Sequence, residues 1–221
     1  IVALNKETGE TVWKTMRPNK TRSYCAPIIR TIDGRNQLIL SGSLSVASYD
    51  PDTGAQHWII DGPTDQFVAS LVYNGKLLFM TCGFPERHML AIDPRGSGNV
   101  TDTHVVWRTR KDPSYVPSPA SIGEYFVVVS DKGKASCLLA GDGKRRWNEK
   151  IGREHDASAI VVRDHVCFVS ETGVMTVIKP GPEFNVAARN DLGEEVHASP
   201  AITRGQWLIR GLEHLYCIGK P

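Results

Sequence analysis

Tryptophan recurs along this chain at intervals of about 40 to 50 residues. Four tryptophans follow this spacing: Trp13, Trp58, Trp107 and Trp147. Repeats of this length are typical of structural units that cannot bury both faces alone and therefore stack against copies of themselves. The period matches one blade of a β-propeller, in which small antiparallel sheets are arranged around an axis. The repeat therefore predicts a series of similar sheets.

A tight turn precedes these tryptophans. In one copy the pattern runs from Ser48 through the turn residues 50–54 to Trp58. The copies that end at Trp13 and Trp147 have the same length. Asp favours such turns by accepting backbone hydrogen bonds, and Gly favours them by adopting positive φ. We expect each tryptophan to dock on the adjacent sheet and to donate its indole N–H there.

Two units depart from this pattern. The copy that ends at Trp107 contains an insertion at residues 96–99, which we expect on the surface. The unit after Trp147 has no tryptophan, and Phe184 or Ala187 lies near the expected position.

A second repeated feature is a small or proline-containing start to an apolar strand. It occurs at residues 25–28, 68–71, 117–120, 156–159 and 197–200. Short apolar runs separated by turn residues follow each start, and no sustained helical period with caps is present. We therefore predict an all-β propeller of four-stranded antiparallel blades, with about five blade units, in a single domain that comprises residues 1–221.

Charge and hydropathy exclude several classes of partner. The formal net charge is only +2, which supplies no basic field for binding nucleic acid. No apolar run approaches the roughly 18 residues that a membrane-spanning helix needs. We therefore expect neither nucleic-acid binding nor membrane insertion of this chain.

The repeats resemble those of a known family. The pattern in residues 48–58 resembles the docking pattern Ala-x-Asp-x-x-Thr-Gly-x-x-x-Trp of quinoprotein (PQQ)-type β-propellers, with Ser48 in place of Ala. Residues 3–13 match it with Asn5 in place of Asp. The C-terminal half, which includes residues 180–184 and 188–193, is similar to the BamB-like group of bacterial PQQ-like repeat proteins.

The resemblance implies a location in the periplasm or otherwise outside the cytoplasm. It also implies a ring of seven or eight blades, of which five units form only a part. The chain starts at Ile1 as if in the middle of a strand, without an initiator Met or a signal peptide. We therefore expect further sequence before Ile1.

A PQQ-dependent dehydrogenase is the most specific enzyme hypothesis. The resemblance implies that such an enzyme holds a quinone and a Ca²⁺ or lanthanide ion through oxygen ligands, and the alcohol dehydrogenases add a disulfide between adjacent cysteines. This sequence has no adjacent cysteines, and Asp50, Asp93 and Asp142 lie in predicted turns. We therefore expect no enzymatic activity, no cofactor and no metal. A PQQ-dependent oxidoreductase and a small-molecule-binding propeller remain the alternatives.

Residues just before the strand starts are the candidates for a binding site. Strand starts of successive blades converge on one axis, so side chains distant in sequence can share one ligand. The candidates at this channel mouth are Tyr24, Tyr115, His155, Asp156 and His197. We expect the last four to line one cavity; the alternative is that they only close the mouth.

A loop at residues 82–88, called here the Phe84 loop, replaces the tight turn of the other units. Phe84 and Arg87 belong to the residue types that are enriched at interface hot spots. The alternative is that Phe84 packs locally. Together these features predict a non-enzymatic scaffold that binds a protein or peptide, and they leave the oligomeric state open.

Overall fold

Short β-strands joined by turns make up the protein throughout the described residues, which are 1–19, 23–42 and 44–219 of a computed structural model. There are 22 strands and no helix in these ranges. Consequently, no described segment forms a helix that could cross a membrane.

The strands form six sheets across the described residues. Sheet 1 contains β1 (Val2–Leu4) and β2 (Thr11–Lys14). Sheet 2 contains β3 (Ile28–Ile32), β4 (Arg35–Ser41), β5 (Ser45–Tyr49) and β6 (Gln56–Asp61). Sheet 3 begins with β7 (Val72–Tyr73), β8 (Leu78–Cys82) and β9 (His88–Ile92). The next strand, β10 (Gly98–Asn99), joins sheet 2, and β11 (Val105–Thr109) completes sheet 3.

The remaining strands continue the same arrangement. Sheet 4 contains β12 (Ala120–Ile122), β13 (Tyr125–Val129), β14 (Lys134–Leu139) and β15 (Arg145–Lys150). Sheet 5 contains β16 (Ile160–Val162), β17 (His165–Val169), β18 (Val174–Ile178) and β19 (Val186–Asp191). Sheet 6 contains β20 (Ala201–Thr203), β21 (Gln206–Arg210) and β22 (Leu215–Ile218).

Each sheet is an antiparallel meander, apart from β10, in which strands pair with their neighbours in sequence. The five predicted strand starts lead into sheets 2 to 6. The prediction of an all-β propeller with four-stranded antiparallel blades is confirmed. The sheets do not close into a full ring within the described residues.

Apolar layers lie between successive sheets. Between sheets 3 and 4, Phe79 stacks on Phe126 with ring centroids 4.9 Å apart, and Trp107 packs beside both. Three further apolar clusters lie between sheets 2 and 3, 4 and 5, and 5 and 6. Because both faces of an inner sheet are covered, strands such as β8 and β9 are buried at every position. Their sequences are therefore mostly apolar rather than alternating, with Thr81 and His88 as buried polar residues.

The repeated tryptophans occupy one register position. Trp58, Trp107 and Trp147 lie on the fourth strand of their sheets, opposite the small residue on the third strand, and Trp13 lies on β2 opposite the small residue on β1. The pairs are Ala3 with Trp13, Ser48 with Trp58, Ala91 with Trp107, and Cys137 with Trp147. In sheet 5 the equivalent pair is Val177 with Ala188, so the residue in the tryptophan position is Ala188 rather than Phe184 or Ala187. Phe184 instead packs on Trp147, with ring centroids 5.0 Å apart.

Three of the indoles donate hydrogen bonds to the third-to-fourth-strand turn of the next sheet. The acceptors are the carbonyl oxygens of Pro51 for Trp13 (2.9 Å), Ala140 for Trp107 (2.8 Å) and Gly181 for Trp147 (3.2 Å). Among the described residues, none of these three carbonyl oxygens accepts a backbone hydrogen bond within its own hairpin. The indole therefore links two sheets through a polar contact as well as through apolar burial.

Trp58 reaches the next sheet through an intermediate side chain. Its Nε1 donates to Gln37 Oε1 at 2.8 Å, and Gln37 Nε2 donates to the Pro94 carbonyl at 3.1 Å. Ser48 also donates to Gln37 Oε1, at 2.7 Å. Because Trp58 and Gln37 are both fully buried, this relay satisfies polar groups that would otherwise be costly to bury.

The insertion between β9 and β11 holds sheets 2 and 3 together. Its residues Gly98 and Asn99 pair in parallel with β6 at Trp58 and Ile59. The amide of Val100 then donates to the Ile59 carbonyl at 2.9 Å. The insertion lies at the surface, but its contribution of a fifth strand to the preceding sheet has no signal in the repeat pattern.

The turn between the third and fourth strands needs glycine for two reasons: the positive φ of the backbone and the indole that packs against the turn. Gly143 has φ +70°, and a Cβ at this position would lie 2.7 Å from Trp107 Cδ2. Gly54 stands in the same relation to Trp13. Any larger residue would have to displace the ring from the turn it covers.

Replacing Gly143 with alanine should therefore destabilise the fold by more than strain alone. The control is Gly123→Ala, because Gly123 also has positive φ, +54°, but has no atom within 4 Å of the added Cβ. Both variants carry left-handed strain of about 1 to 2 kcal/mol. Gly143→Ala should cost about 1 to 3 kcal/mol more, as overpacking does. Urea unfolding measures the difference, and equal losses would show that Trp107 does not constrain the turn.

Candidate functional site

One end of the sheets gathers the residues proposed for binding. In an antiparallel four-stranded meander, the second-to-third-strand turn lies at the same end as the connection to the next sheet. These turns comprise residues 83–87, 130–133, 170–173 and 211–214, and the connections comprise residues 62–71, 110–119, 151–159 and 192–200. We call this end the connection face. The Asp-x-x-Thr-Gly turns lie at the opposite end.

Backbone hydrogen bonds join the turns and connections of the connection face. The donor amide belongs alternately to a connection and to a turn, and the acceptor carbonyl belongs to the other segment. The bonds are His155 N to Asp131 O (3.0 Å), Glu171 N to Glu154 O (2.9 Å), Val196 N to Glu171 O (2.9 Å) and Leu212 N to Glu195 O (2.9 Å). Because each segment is held from two sides, side chains from three sheets keep defined relative positions.

A histidine and three carboxylates meet over sheet 5. His197 Nδ1 lies 3.1 Å from Asp156 Oδ2, and its Nε2 lies 2.7 Å from Glu195 Oε1. Potential ligand atoms of Asp156, Glu171 and His197 all lie within 4.8 Å of one another. We call Asp156, Glu171 and His197 the carboxylate–histidine cluster. These residues could hold a metal ion.

The electrostatics of the cluster follow from its negative charge. The hydrogen bond with Glu195, and then that with Asp156, raises the pKa of His197 above 6.5. Burial, and then the charges of Asp156 and Glu154, raises the pKa of Glu171. Both shifts show that protons are held here more firmly than in water.

Sequence reasoning identified Asp156 and His197 but missed Glu171. A signal was present, because Glu171 follows Ser170 in its turn just as Asp131 follows Ser130. The carboxylate of Asp131 accepts hydrogen bonds from the Tyr115 and Val116 amides of the preceding connection. The second position of this turn therefore contacts a neighbouring segment in both sheets.

His155 lies beneath the face and not in an open funnel. Only 1% of the residue is exposed, and a Cβ at Gly152 would lie 2.9 Å from its Cε1. Burial lowers the pKa of His155, so the neutral imidazole is favoured. Its Nδ1 is buried without a hydrogen-bond partner in the described part of the chain. We expected His155 to line one cavity together with Asp156 and His197, but its side chain is buried beneath the face.

Tyr115 belongs to a different part of the connection face. Its ring covers Gly83 in the Phe84 loop, and its hydroxyl donates to Gln66 Oε1 at 3.0 Å. Tyr24 lies further along, with its amide bonded to the Phe67 carbonyl at 2.9 Å and its side chain exposed. The five channel-mouth candidates are thus distributed over several blades, and only Asp156 and His197 contact each other through side-chain polar atoms.

The Phe84 loop is rigidly supported, although Phe84 itself is 52% exposed. The Phe84 carbonyl accepts hydrogen bonds from Thr64 Oγ1 (2.5 Å), Asp65 N (3.1 Å) and Gln66 N (2.9 Å). About half of Phe84 is therefore covered by its surroundings, and the other half is open to solvent. Arg87 pairs with Asp131 across to sheet 4 at 3.2 Å.

Charge is separated along the connection face. Over sheets 5 and 6, a cavity of about 390 Å³ is lined by Glu154, Glu171, Glu194 and Glu195 together with Arg153. Beside the Phe84 loop, a cavity of about 330 Å³ is lined by Arg87, Asp112, Lys132, Lys134 and Lys150. The face therefore presents an acidic region and a basic region to any ligand.

Glu194 has a structural role in the acidic region. It accepts hydrogen bonds from the amides of Glu213 and His214 and from the Tyr216 hydroxyl. The Tyr216 bond, followed by the two amide bonds, lowers the pKa of Glu194 to about 2. Glu194 thus fixes the turn of sheet 6 and is not free to bind a ligand.

Comparisons with known proteins agree with this architecture. The model of the family described as outer membrane protein assembly factor BamB matches residues 1–187. No curated protein matches the chain. Among solved structures, the crystal structure of BamB from Moraxella catarrhalis is similar with a TM-score of 0.50 and 11% sequence identity. The match covers 95% of this chain and 73% of that chain, and at this identity it shows the fold alone.

The carboxylates around His197 should be visible in its titration. We expect NMR to give His197 a pKa above 6.5, and Glu195→Gln to lower it, because the bond with Glu195 is the largest cause. A folded-state pKa above the unfolded value stabilises the fold below pH 6.5, and this contribution is lost as pH rises through the folded-state pKa. The pKa of His155 should shift in the opposite direction. A His197 pKa at or below 6.5 would contradict the observed contacts.

Proposed function

Because the chain belongs to the family of outer membrane protein assembly factor BamB, we propose that it is a non-enzymatic β-propeller scaffold that binds a protein partner. We also propose that residues 1–221 act as one propeller domain and that the protein works outside the cytoplasm, in keeping with the family's description as an outer membrane protein assembly factor. The partner surface is the connection face around the Phe84 loop.

The observation that carries this proposal is an exposed aromatic side chain on a rigid loop. Phe84 is half exposed, while three hydrogen bonds to its carbonyl oxygen hold its backbone. An apolar ring held in this way loses little conformational entropy when a partner covers it. Rigid aromatic anchors of this kind are typical hot spots of protein interfaces.

The charges around Phe84 supply the polar rim of such an interface. Arg87 contacts Asp131, and Glu86 pairs with Arg110 at 2.7 Å. Lys132 and Lys150 line the neighbouring basic cavity. Rim charges mainly orient a partner and accelerate its association, whereas the central apolar contact supplies affinity. A partner with an apolar side chain or pocket surrounded by acidic groups fits this surface.

The Asp residues of the docking turns support a non-enzymatic role. Asp50 Oδ1 accepts the amides of Asp52 and Thr53, both at 2.9 Å, and Asp142 Oδ1 accepts the amide of Lys144 at 3.0 Å. These bonds lower the pKa of Asp50 and Asp142. A carboxylate occupied in this way is poorly suited to act as a catalytic base.

Partner binding should depend on Phe84 and not on exposed apolar residues elsewhere. A photo-crosslinking amino acid at position 84 of the full-length protein in cells should give a discrete crosslinked protein. The same group at position 106 should not, because Val106 is exposed on β11, away from the connection face. Phe84→Ala should reduce co-purification of the position-84 partner by about tenfold or more, the scale of a hot-spot residue.

The control for this experiment is the stability of the Phe84→Ala variant. Phe84→Ala should change the free energy of unfolding by no more than about 1 kcal/mol, because about half of the residue is exposed. Equal crosslinking from positions 84 and 106, or unchanged co-purification of Phe84→Ala, would count against the connection face as the partner surface.

The enzyme alternative has its own test. Purified protein titrated with PQQ and Ca²⁺ should show no saturable binding and no dye-linked oxidation of alcohols or sugars. The reason is that the aspartates of its docking turns are already bonded to backbone amides. Saturable quinone binding accompanied by turnover would replace the scaffold proposal with a PQQ-dependent oxidoreductase.

A further inference from the structure

The carboxylate–histidine cluster has the donor set of a metal site. Its three side chains come from the connection after sheet 4 (Asp156), the turn of sheet 5 (Glu171) and the connection after sheet 5 (His197). Their ligand atoms approach within 4.8 Å of one another. We propose that these residues bind a divalent transition-metal ion, with Zn²⁺ as the representative ion.

The distances suit such an ion. Zn²⁺ binds nitrogen and oxygen donors at about 2.0 to 2.2 Å, which in a tetrahedral site places donors about 3.3 to 3.6 Å apart. His197 Nδ1 and Asp156 Oδ2 are already 3.1 Å apart. The three donors lie within 4.8 Å of one another, so they must move closer to surround one ion. His197 and Asp156 are nearly half exposed, which leaves space for rotations about their side-chain bonds.

The orientation of the imidazole is the second feature. His197 Nε2 lies 2.7 Å from Glu195 Oε1, a carboxylate outside the cluster. With its proton on Nε2, the ring donates to Glu195 and directs the Nδ1 lone pair towards Asp156. Metal-bound histidines almost always have such a partner on the second nitrogen, which fixes the tautomer and makes the ligand more basic. Glu195 therefore acts as a positioning residue.

The charge around the cluster also favours a cation. Asp156, Glu171 and Glu195 lie around His197, and Glu154 lies near Glu171. Arg153 lines the same cavity, but no Lys or Arg forms an ion pair with these carboxylates in the described ranges. One imidazole cannot compensate this charge, since it carries at most one positive charge. A divalent ion would offset two of these negative charges.

The backbone prepares the site before an ion arrives. The bonds from Glu171 N to Glu154 O and from Val196 N to Glu171 O hold the three donor-bearing segments together. Little ordering entropy therefore remains to be lost on binding. An ion bound here would connect the segments on either side of sheet 5.

The donor types decide which ion is favoured. Imidazole nitrogen suits zinc and related transition metals, whereas Ca²⁺ and Mg²⁺ prefer sites made only of oxygen. Three protein donors leave a fourth tetrahedral position for water or for a donor from a bound partner. Glu194, which lines the same acidic cavity, is occupied by the turn of sheet 6.

Direct titration of the full chain with ZnCl₂ near neutral pH tests the proposal. All proteins in the test carry Cys217→Ser, because Cys217 is an exposed free thiol that could bind zinc by itself. We expect one saturable site per chain. His197→Gln and Glu171→Gln should each weaken zinc binding by about tenfold or more, and Glu195→Gln should do so to a smaller extent.

The matched control is His165→Gln, which removes a histidine that pairs with Asp164 at 2.8 Å on another part of the surface. It should bind zinc like the parent protein. Zinc should also raise the melting temperature of the parent and of His165→Gln but not of His197→Gln. Circular dichroism confirms that each variant is folded.

Three results would overturn the proposal. The first is the absence of a saturable zinc site in the parent protein. The second is unchanged affinity in either His197→Gln or Glu171→Gln, which would place the ion elsewhere. The third is tighter binding of Ca²⁺ than of Zn²⁺, which would contradict an imidazole ligand.

Discussion

The structure depends on the burial of each sheet against the next one. A four-stranded sheet of this size has two apolar faces, and in sheets 3, 4 and 5 the clusters between successive sheets cover both of them. The indoles of Trp13, Trp107 and Trp147 add directed hydrogen bonds to this burial, because each reaches a carbonyl oxygen in the following sheet. Apolar area thus supplies the attraction, and the indole N–H sets the relative position of the sheets.

The same stacking makes the connection face a firm platform. Since the sheets cannot slide, their turns and connections exchange backbone hydrogen bonds in a regular order, as at Glu171 and His155. Residues far apart in sequence then meet with defined geometry, which is the usual way in which loops on a rigid scaffold acquire binding roles. This arrangement positions the exposed ring of Phe84 beside the basic region and the carboxylate–histidine cluster in the acidic region.

Much of the fold could be predicted from the repeat, but less of the candidate site could. The period of the tryptophans and the five strand starts indicate the blades, because a repeated unit must make repeated contacts. Gln37 was not recognisable, since only the buried position of Trp58 shows that its N–H needs a relay. The pairing of β10 with β6 was equally hidden, because an insertion has no counterpart in the other units.

The sequence alone determined the local structure. It showed turns where Asp and Gly occur together, strands where apolar residues follow one another, and one docking position in each repeat that keeps its tryptophan. What the tertiary structure alone decided is which polar side chains meet and which are buried. His155 and Asp156 are neighbours in sequence, yet one lies under the face at 1% exposure and the other reaches His197 from a different connection. Adjacent residues point in different directions, and contacts between blades depend on the packing of whole sheets, so no local pattern could separate these two roles.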